Sequence, residues 1–395
     1  MKVLVYMKEN DLAPIGGPRG YNYNLFQTLR EINEKRIEFI VTNNESVNNK
    51  VNYFVEKIKN KNIKELLTVF KSIANRLLIL YGKSKKPIAS IAEYDVIHFH
   101  NPLEMYEIRK SLDNYKGKVI LTSHSPTISS VELIDTATDF EKKYIKKLYQ
   151  NLEKIDMYAF ARADYVIFPC EEAEEPYYNS WNFYEKFKRE NAHKYKYLLT
   201  GINQCNAKKN RQEILRENKI PEDAFVVSYV GRHNSIKGYD NLLRIGEELL
   251  KLHKDVYILV AGKEGPIYRL NNARWIEIGW TRDPHSIIGA SDIFILPNRQ
   301  TYFDLILLEV LSLGKIIVAS NTGGNKYFKK YPNIGTFLYN TVDDAIELVN
   351  SIIDMPRIQR ENFEKSNLNI YTHGFTCEIF TNNYIHILEE ILYNG

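Results

Sequence analysis

The segment VVSYVGRHNSIKGYDNLL holds two permanent cations, Arg232 just after a β-branched run and Lys237 beside Gly238 at the start of a helical pattern. Cations beside a helix N-terminus make an anion site, and a compact, strongly negative diphosphate suits it. The competing reading is a pair of surface charges at a domain edge. Further on, ASDIFILPNRQTYFDLILLEVLSLGKIIVASNTGG places Glu309 on the helix after a strand. A carboxylate there can accept two hydrogen bonds from a ribose diol, and a polar ligand would offset the cost of burying it. The Gly323-Gly324 turn follows the next strand.

Near the N-terminus, APIGGPRGYNYNLFQTLREI puts Gly16, Gly17 and Gly20 between a strand and an amphipathic helix. Glycines let backbone N–H groups approach a phosphate at the positive helix end, although the spacing is not the dinucleotide fingerprint and a tight strand-to-helix turn explains it equally. DVIHFH sets His98 and His100 on one strand face, and VILTSHSP ends a strand in His124. Metal binding by the first two lacks a neighbouring carboxylate or cysteine at ligand spacing, so packing is the expected role of His98. His124 lies where open α/β sheets place ligands.

Such residues need a scaffold. The expected strands are 3–7, 37–42, 95–100, 119–123 and 165–169, then 226–230, 256–261, 275–278, 293–297 and 316–320. They are near-continuous apolar runs, as parallel strands covered on both faces are. Helix-period stretches separate them, including 23–32, 63–81, 239–252 and 305–313. The expected fold class is therefore α/β, with two Rossmann-like, doubly wound parallel-sheet domains facing a cleft between their strand ends. The polar stretch 198–222 separates them.

At 395 residues and 44% hydrophobic content, two packed domains are expected and global disorder is excluded. Cys170, Cys205 and Cys377 are too few and scattered for a disulfide framework or a structural zinc site. No apolar run reaches about 18 residues and the opening run is too short for a signal peptide, so a cytoplasmic location is expected. Residues 1–200 hold 31 Lys/Arg against 26 Asp/Glu, and ten of the basic residues fall within 50–86: Lys50, Lys57, Lys59, Lys61, Lys64, Lys71, Arg76, Lys83, Lys85 and Lys86. An anionic membrane surface would suit this cluster, and so would plain solvation. In the same region Ile63, Leu66, Leu67, Phe70, Ile73, Leu77, Leu78 and Tyr81 share one helix face, for which core packing is the stronger expectation and a membrane surface the alternative. The aromatic and basic stretch 176–197 is expected to line an acceptor channel or to form a surface excursion. No nucleic-acid module is present, so nucleic acid is not an expected partner.

In order and spacing, GGPRGYNYNL, DVIHFH, VILTSHSP, YVGRHNSIKGYDNLL, LVAGKEG, ASDIFILPN, FDLILLEVLSLGKIIVASNTGG and a terminal helix over 375–392 resemble the family 4 glycosyltransferases, which have the GT-B fold. The resemblance covers nearly the whole chain. It implies an N-terminal acceptor-side domain over 1–204, a C-terminal nucleotide-sugar domain over 205–374, and a helix over 375–395 crossing back to the first domain. It implies a retaining transferase that needs neither cofactor nor metal. The sugar would move from a nucleotide-diphosphate donor to a glycan, lipid-linked or protein acceptor, in bacterial surface polysaccharide or glycoconjugate synthesis.

Carried over by position, His124 matches the active-site histidine, and Arg232 and Lys237 match the cations that neutralise the diphosphate. Gly16 and Gly17 match the loop facing donor and acceptor, Glu309 the ribose carboxylate, and Trp280 the segment beside the nucleobase. Gly231, Thr301, Phe303 and Leu305 complete the donor-binding set. Two positions depart from the family. Thr301 stands where the first of two glutamates is usual, and Asp304 where glycine is usual. A donor sugar contacted differently would tolerate both changes. The alternative is a catalytically degenerate partner subunit that binds the acceptor or an active paralogue.

Overall fold

The computed structural model of the chain describes residues 1–7, 12, 17–41, 61–125, 127–135, 137 and 139–393. Two compact units emerge. The first comprises Met1–Phe168, Tyr177–Tyr197 and Tyr384–Gly395, and the second Pro169–Pro176 and Leu198–Asn383.

The first unit is built on six parallel strands: β1 (Val3–Met7), β2 (Ile37–Val41), β3 (Val96–Phe99), β4 (Lys118–Leu121), β5 (Tyr165–Phe168) and β6 (Tyr195–Tyr197), in spatial order β2-β1-β3-β4-β5-β6. The second has β7 (Phe225–Val230), β8 (Val256–Ala261), β9 (Trp275–Gly279), β10 (Ile293–Leu296), β11 (Ile316–Ser320) and β12 (Thr336–Tyr339), ordered β12-β11-β10-β7-β8-β9 and again all parallel. The helices used below are α1 (Gly17–Glu31), α2 (Lys61–Tyr81), α3 (Tyr239–Leu252), α4 (Pro284–Ala290), α5 (Leu305–Ser312) and α6 (Cys377–Tyr393). The last begins in the second unit and ends in the first.

The α/β class with two Rossmann-like units is thus as expected. Strands β1, β3, β10 and most of β11 are buried along their length, so their sequences do not alternate. Strand order reverses between β1 and β3 in the first sheet and between β7 and β10 in the second. Loops at the carboxyl ends of strands flanking such a reversal are where open α/β sheets bind ligands.

Four expectations change. Strands β6 and β12 add to the expected set; both are short edge strands that pair on one side only. Helix α1 starts at Gly17, earlier than its apolar period, with Pro18 in the first turn where a missing N–H is harmless. The stretch 176–197 is neither channel nor excursion in its aromatic core. Tyr177, Trp181, Tyr184 and Tyr195 are buried, and Tyr177 and Trp181 pack on Phe160 at 5.6 and 5.3 Å between ring centres.

Helix α2 departs most. Its inner side is anchored by buried Val69 and Leu80 and by Arg76, which donates to Tyr149 Oη at 2.7 Å and pairs with Glu141 at 3.1 Å. Ile63, Leu66, Leu67, Phe70, Leu77, Leu78 and Tyr81 are exposed, Phe70 by 59% and Leu78 by 68%. Core packing therefore does not account for this face.

Candidate active site

At the strand reversal of the second unit, β7 runs into Gly231 and Arg232, and a short turn leads through Lys237 to α3. From β10, the chain passes Asn298, Thr301 and Asp304 before α5. The two turns are pressed together. Gly238 has φ +63°, and a Cβ there would lie 1.7 Å from the Pro297 carbonyl oxygen, so only glycine permits the approach. Arg299 N–H donates to Ile236 O at 3.0 Å, and Asn234 Oδ1 accepts from Lys237 N–H at 2.9 Å.

This closure sets the charges. Lys237 Nζ lies 2.8 and 2.9 Å from Asp304 Oδ1 and Oδ2, and the Asn298 amide also donates to Asp304. Arg232 is exposed, and its guanidinium has no hydrogen-bond or ion-pair partner among the described residues; its backbone oxygen accepts from Tyr229 Oη at 2.9 Å and from Asn234 N–H at 3.0 Å. The site thus presents one uncommitted guanidinium and one carboxylate-held ammonium. Leu305 opens α5 beside them, half-buried, and Gly231 is half-buried at the end of β7. Thr301 and Phe303 turn inward: Thr301 is buried, and Phe303 stacks on Phe328 with ring centres 6.0 Å apart.

Glu309 lies on α5, half-buried, with Oε2 3.1 Å from His285 Nε2. His285 stands in the first turn of α4, whose N-terminus is capped by Asp283. Hydrogen bonds to Cys205 and then to Glu309 raise the His285 imidazole to about 10, outweighing the effect of burial. Trp280, just after β9, is 69% exposed, with the Arg282 guanidinium 6.0 Å from its ring centre.

In the first unit, the residues after β3 and β4 build a second polar cluster. His100 Nδ1 and His124 Nε2 share a hydrogen bond of 2.9 Å, their rings stacked within 18°. Tyr21 of α1 packs edge-on against His124 at 4.8 Å. His98 uses both ring nitrogens, on Tyr384 Oη and Thr122 Oγ1 at 2.8 Å each, leaving neither for a cation. Burial lowers His98 and His124 to about 3 and drives His100 down as well, so all three imidazoles are neutral at physiological pH. Next to His124, Ser123 Oγ accepts from Tyr177 Oη at 2.5 Å. Gly17 is exposed at the start of α1. Gly16 lies outside the described residues, as do Lys50, Lys57, Lys59 and the side chains of Lys61 and Lys64.

Sequence reasoning missed four partners: Asn298 of Asp304, His285 of Glu309, Cys205 of His285, and His100 of His124. Only Asn298 left a signal, standing one residue beyond a strand-ending proline.

Residues 210–369 match the family model described as "Glycosyl transferases group 1". The second unit carries a glycosyltransferase group 1 domain. This group 1 domain spans Arg232, Lys237, His285, Asp304 and Glu309. Among curated proteins, an "Uncharacterized 41.2 kDa protein in cps region" of Klebsiella pneumoniae is 23% identical over 237 residues, 58% of this chain and 61% of that protein. The "O-antigen biosynthesis glycosyltransferase WclY" of Escherichia coli is 27% identical over 161 residues, 36% of this chain and 44% of that one. Both alignments span less than two thirds of the relative's own length. Among solved structures, HepE of Anabaena in complex with UDP superposes with a TM-score of 0.63 at 14% identity, covering 99% of this chain and 100% of that one. That likeness establishes the GT-B fold. Among the described residues no helix is long and apolar enough to cross a membrane.

Proposed function

We propose that the chain is a retaining, metal-independent glycosyltransferase that moves a sugar from a nucleotide-diphosphate donor to a glycan, lipid-linked or protein acceptor in surface polysaccharide or glycoconjugate synthesis. One observation carries the reading. An unpartnered guanidinium, Arg232, stands at the strand reversal of a group 1 domain, with Lys237 five positions on at the mouth of α3. UDP in the HepE structure and the O-antigen role in the name of WclY support the donor class and the setting.

In this reading the glycosidic C–O bond to the diphosphate breaks, and negative charge grows on the leaving oxygen. Arg232, Lys237 and backbone amides at the start of α5 take up that charge, each preorganised contact contributing roughly 3 kcal/mol. Lys237 can share Asp304 with a phosphate oxygen, since an ammonium has three donors. The departing phosphate accepts the acceptor's proton from the same face, so configuration is retained and no carboxylate base is required. Glu309 accepts from the ribose while His285 orients it, and exposed Trp280 offers a ring to the base. His124, neutral and held by His100, contacts the transferred sugar as a hydrogen-bonding group rather than as an acid.

The acceptor side belongs to the first unit. The exposed apolar face of α2, with Lys83, Lys85 and Lys86 exposed just beyond it, suits an anionic lipid surface carrying a lipid-linked acceptor.

A second reading has its own support. The Lys237–Asp304 pair removes one cation from the diphosphate, as a catalytically degenerate partner subunit would tolerate. One experiment separates the two. Thermal shift against uridine, guanosine and thymidine diphosphates and their sugars identifies the donor class, and the same sample is then assayed for sugar transfer or donor hydrolysis. Stabilisation by one nucleotide class with turnover supports the enzyme. Stabilisation without turnover supports the partner subunit, and no stabilisation by any of them overturns the donor site.

A further inference from the structure

We propose that Cys205, His285 and Glu309 bind a zinc-class divalent cation. Cys205 Sγ, an imidazole nitrogen of His285 and a carboxylate oxygen of Glu309 all lie within 4.8 Å of one another. Zinc ligands sit about 2.0–2.3 Å from the ion, which places tetrahedral neighbours about 3.3–3.8 Å apart. Side-chain movements of about 1 Å therefore close the set on a metal. A mixed thiolate, imidazole and carboxylate set discriminates against magnesium and calcium, which take oxygen ligands, and leaves a fourth position for water.

The three ligands come from different elements, yet the backbone holds them together. Cys205 N–H donates to Ser312 Oγ at 3.2 Å, and that hydroxyl donates to the carbonyl of Glu309 at 2.8 Å, so the Cys205 segment is tied to α5. Four residues on, Lys209 N–H donates to Ser286 Oγ at 2.9 Å, tying the same segment to α4 beside His285. Ser286 is fixed in turn by Asp283 Oδ2 at 2.6 Å. Ala207 seats its Cβ against Gly289, where an added Cβ would stand 3.2 Å away. Two tethers and a close packing contact thus preposition a thiol over an imidazole–carboxylate pair. All three side chains are half-buried, so an ion and its water can reach them.

Glu309 is also the carboxylate proposed for the donor ribose, so the test is run without nucleotide, and its outcome does not depend on the donor reading. The full chain is stripped with a chelating resin, equilibrated with zinc, freed of unbound metal, and its zinc counted per chain. Wild type is expected to retain about one zinc, and Cys205→Ser and His285→Ala less than about a tenth of that. Cobalt in place of zinc is expected to give a thiolate-to-cobalt charge-transfer band that Cys205→Ser abolishes. Far-ultraviolet circular dichroism confirms that each variant is folded. Folded wild type with neither zinc nor the cobalt band, or equal zinc retention by wild type and Cys205→Ser, overturns the proposal.

Discussion

Lys237 Nζ lies 2.8 and 2.9 Å from the two carboxylate oxygens of Asp304, at the strand reversal of the group 1 domain. An ammonium in that position is half neutralised before any diphosphate arrives. Asp304→Asn removes the charge and keeps the shape. Nucleoside diphosphate binding, measured by calorimetry, is expected to tighten by about tenfold, about 1.4 kcal/mol. Unchanged or weaker binding would show that Lys237 does not face the diphosphate.

Arg232 is exposed and its side chain has no protein partner among the described residues, so its removal should leave stability alone. Arg232→Ala is expected to lower turnover by at least about a hundredfold, the loss of a preorganised contact to developing charge. Its melting temperature should stay within a degree or two of wild type, since surface changes are worth about ±0.5 kcal/mol. Near wild-type turnover would refute the assigned role.

Acid should weaken the first unit. Burial lowers His98 and His124 to about 3 and pushes His100 down too, while an unfolded imidazole titrates near 6.5. Below that value the unfolded chain binds protons that the folded one excludes. The contribution is therefore complete above about 6.5 and is lost progressively as pH falls toward 3, by on the order of 1 kcal/mol per pH unit per histidine. Urea unfolding at stepped pH checks this. A flat profile between pH 7 and 5 would mean that the imidazoles are protonated in the folded state.

The outward face of α2 gives a test that separates binding from folding. Replacing Leu66, Phe70 and Leu78 together by serine removes mostly exposed apolar surface, so the melting temperature should hold within a few degrees. Flotation with anionic vesicles is expected to recover wild type at low salt and not the variant. Wild type that fails to float ends the membrane contact.

Gly238 offers a stability test within the site. With φ at +63° and the Pro297 oxygen occupying the space a Cβ would need, Gly238→Ala must separate the two turns that carry Lys237 and Asp304. A loss of about 2 kcal/mol or more is expected in chemical denaturation. A wild-type midpoint would mean that the turns are not in contact.

The scaffold was legible because its signals are local. Buried parallel strands must be apolar on both faces, so β1, β8 and β11 can be bounded from the sequence to the residue. The edge strands β6 and β12 left no such mark, being short and paired on one side. Helix α2 misled for a related reason. Periodicity reports that Phe70 and Leu78 share a face but is silent on whether anything covers it. In 176–197 the error ran the other way: Tyr177, Trp181, Tyr184 and Tyr195, expected in a channel or a surface excursion, are core, because Phe160 and Phe168 bring a wall to meet them.

Residue type and order alone established two parallel-sheet units, put Arg232, Lys237 and His124 in the loops after strands and put Glu309 on the helix after one, since backbone hydrogen bonding and apolar burial act on neighbours in the chain. Tertiary structure alone decided what each of these groups touches. Asp304 reaches Lys237, His285 reaches Glu309, Cys205 reaches His285, and His100 reaches His124 only because the folded chain brings together residues distant in sequence. Charge, tautomer and ligand capacity depend on distances of about 3 Å, and no spacing along a chain encodes a distance across one.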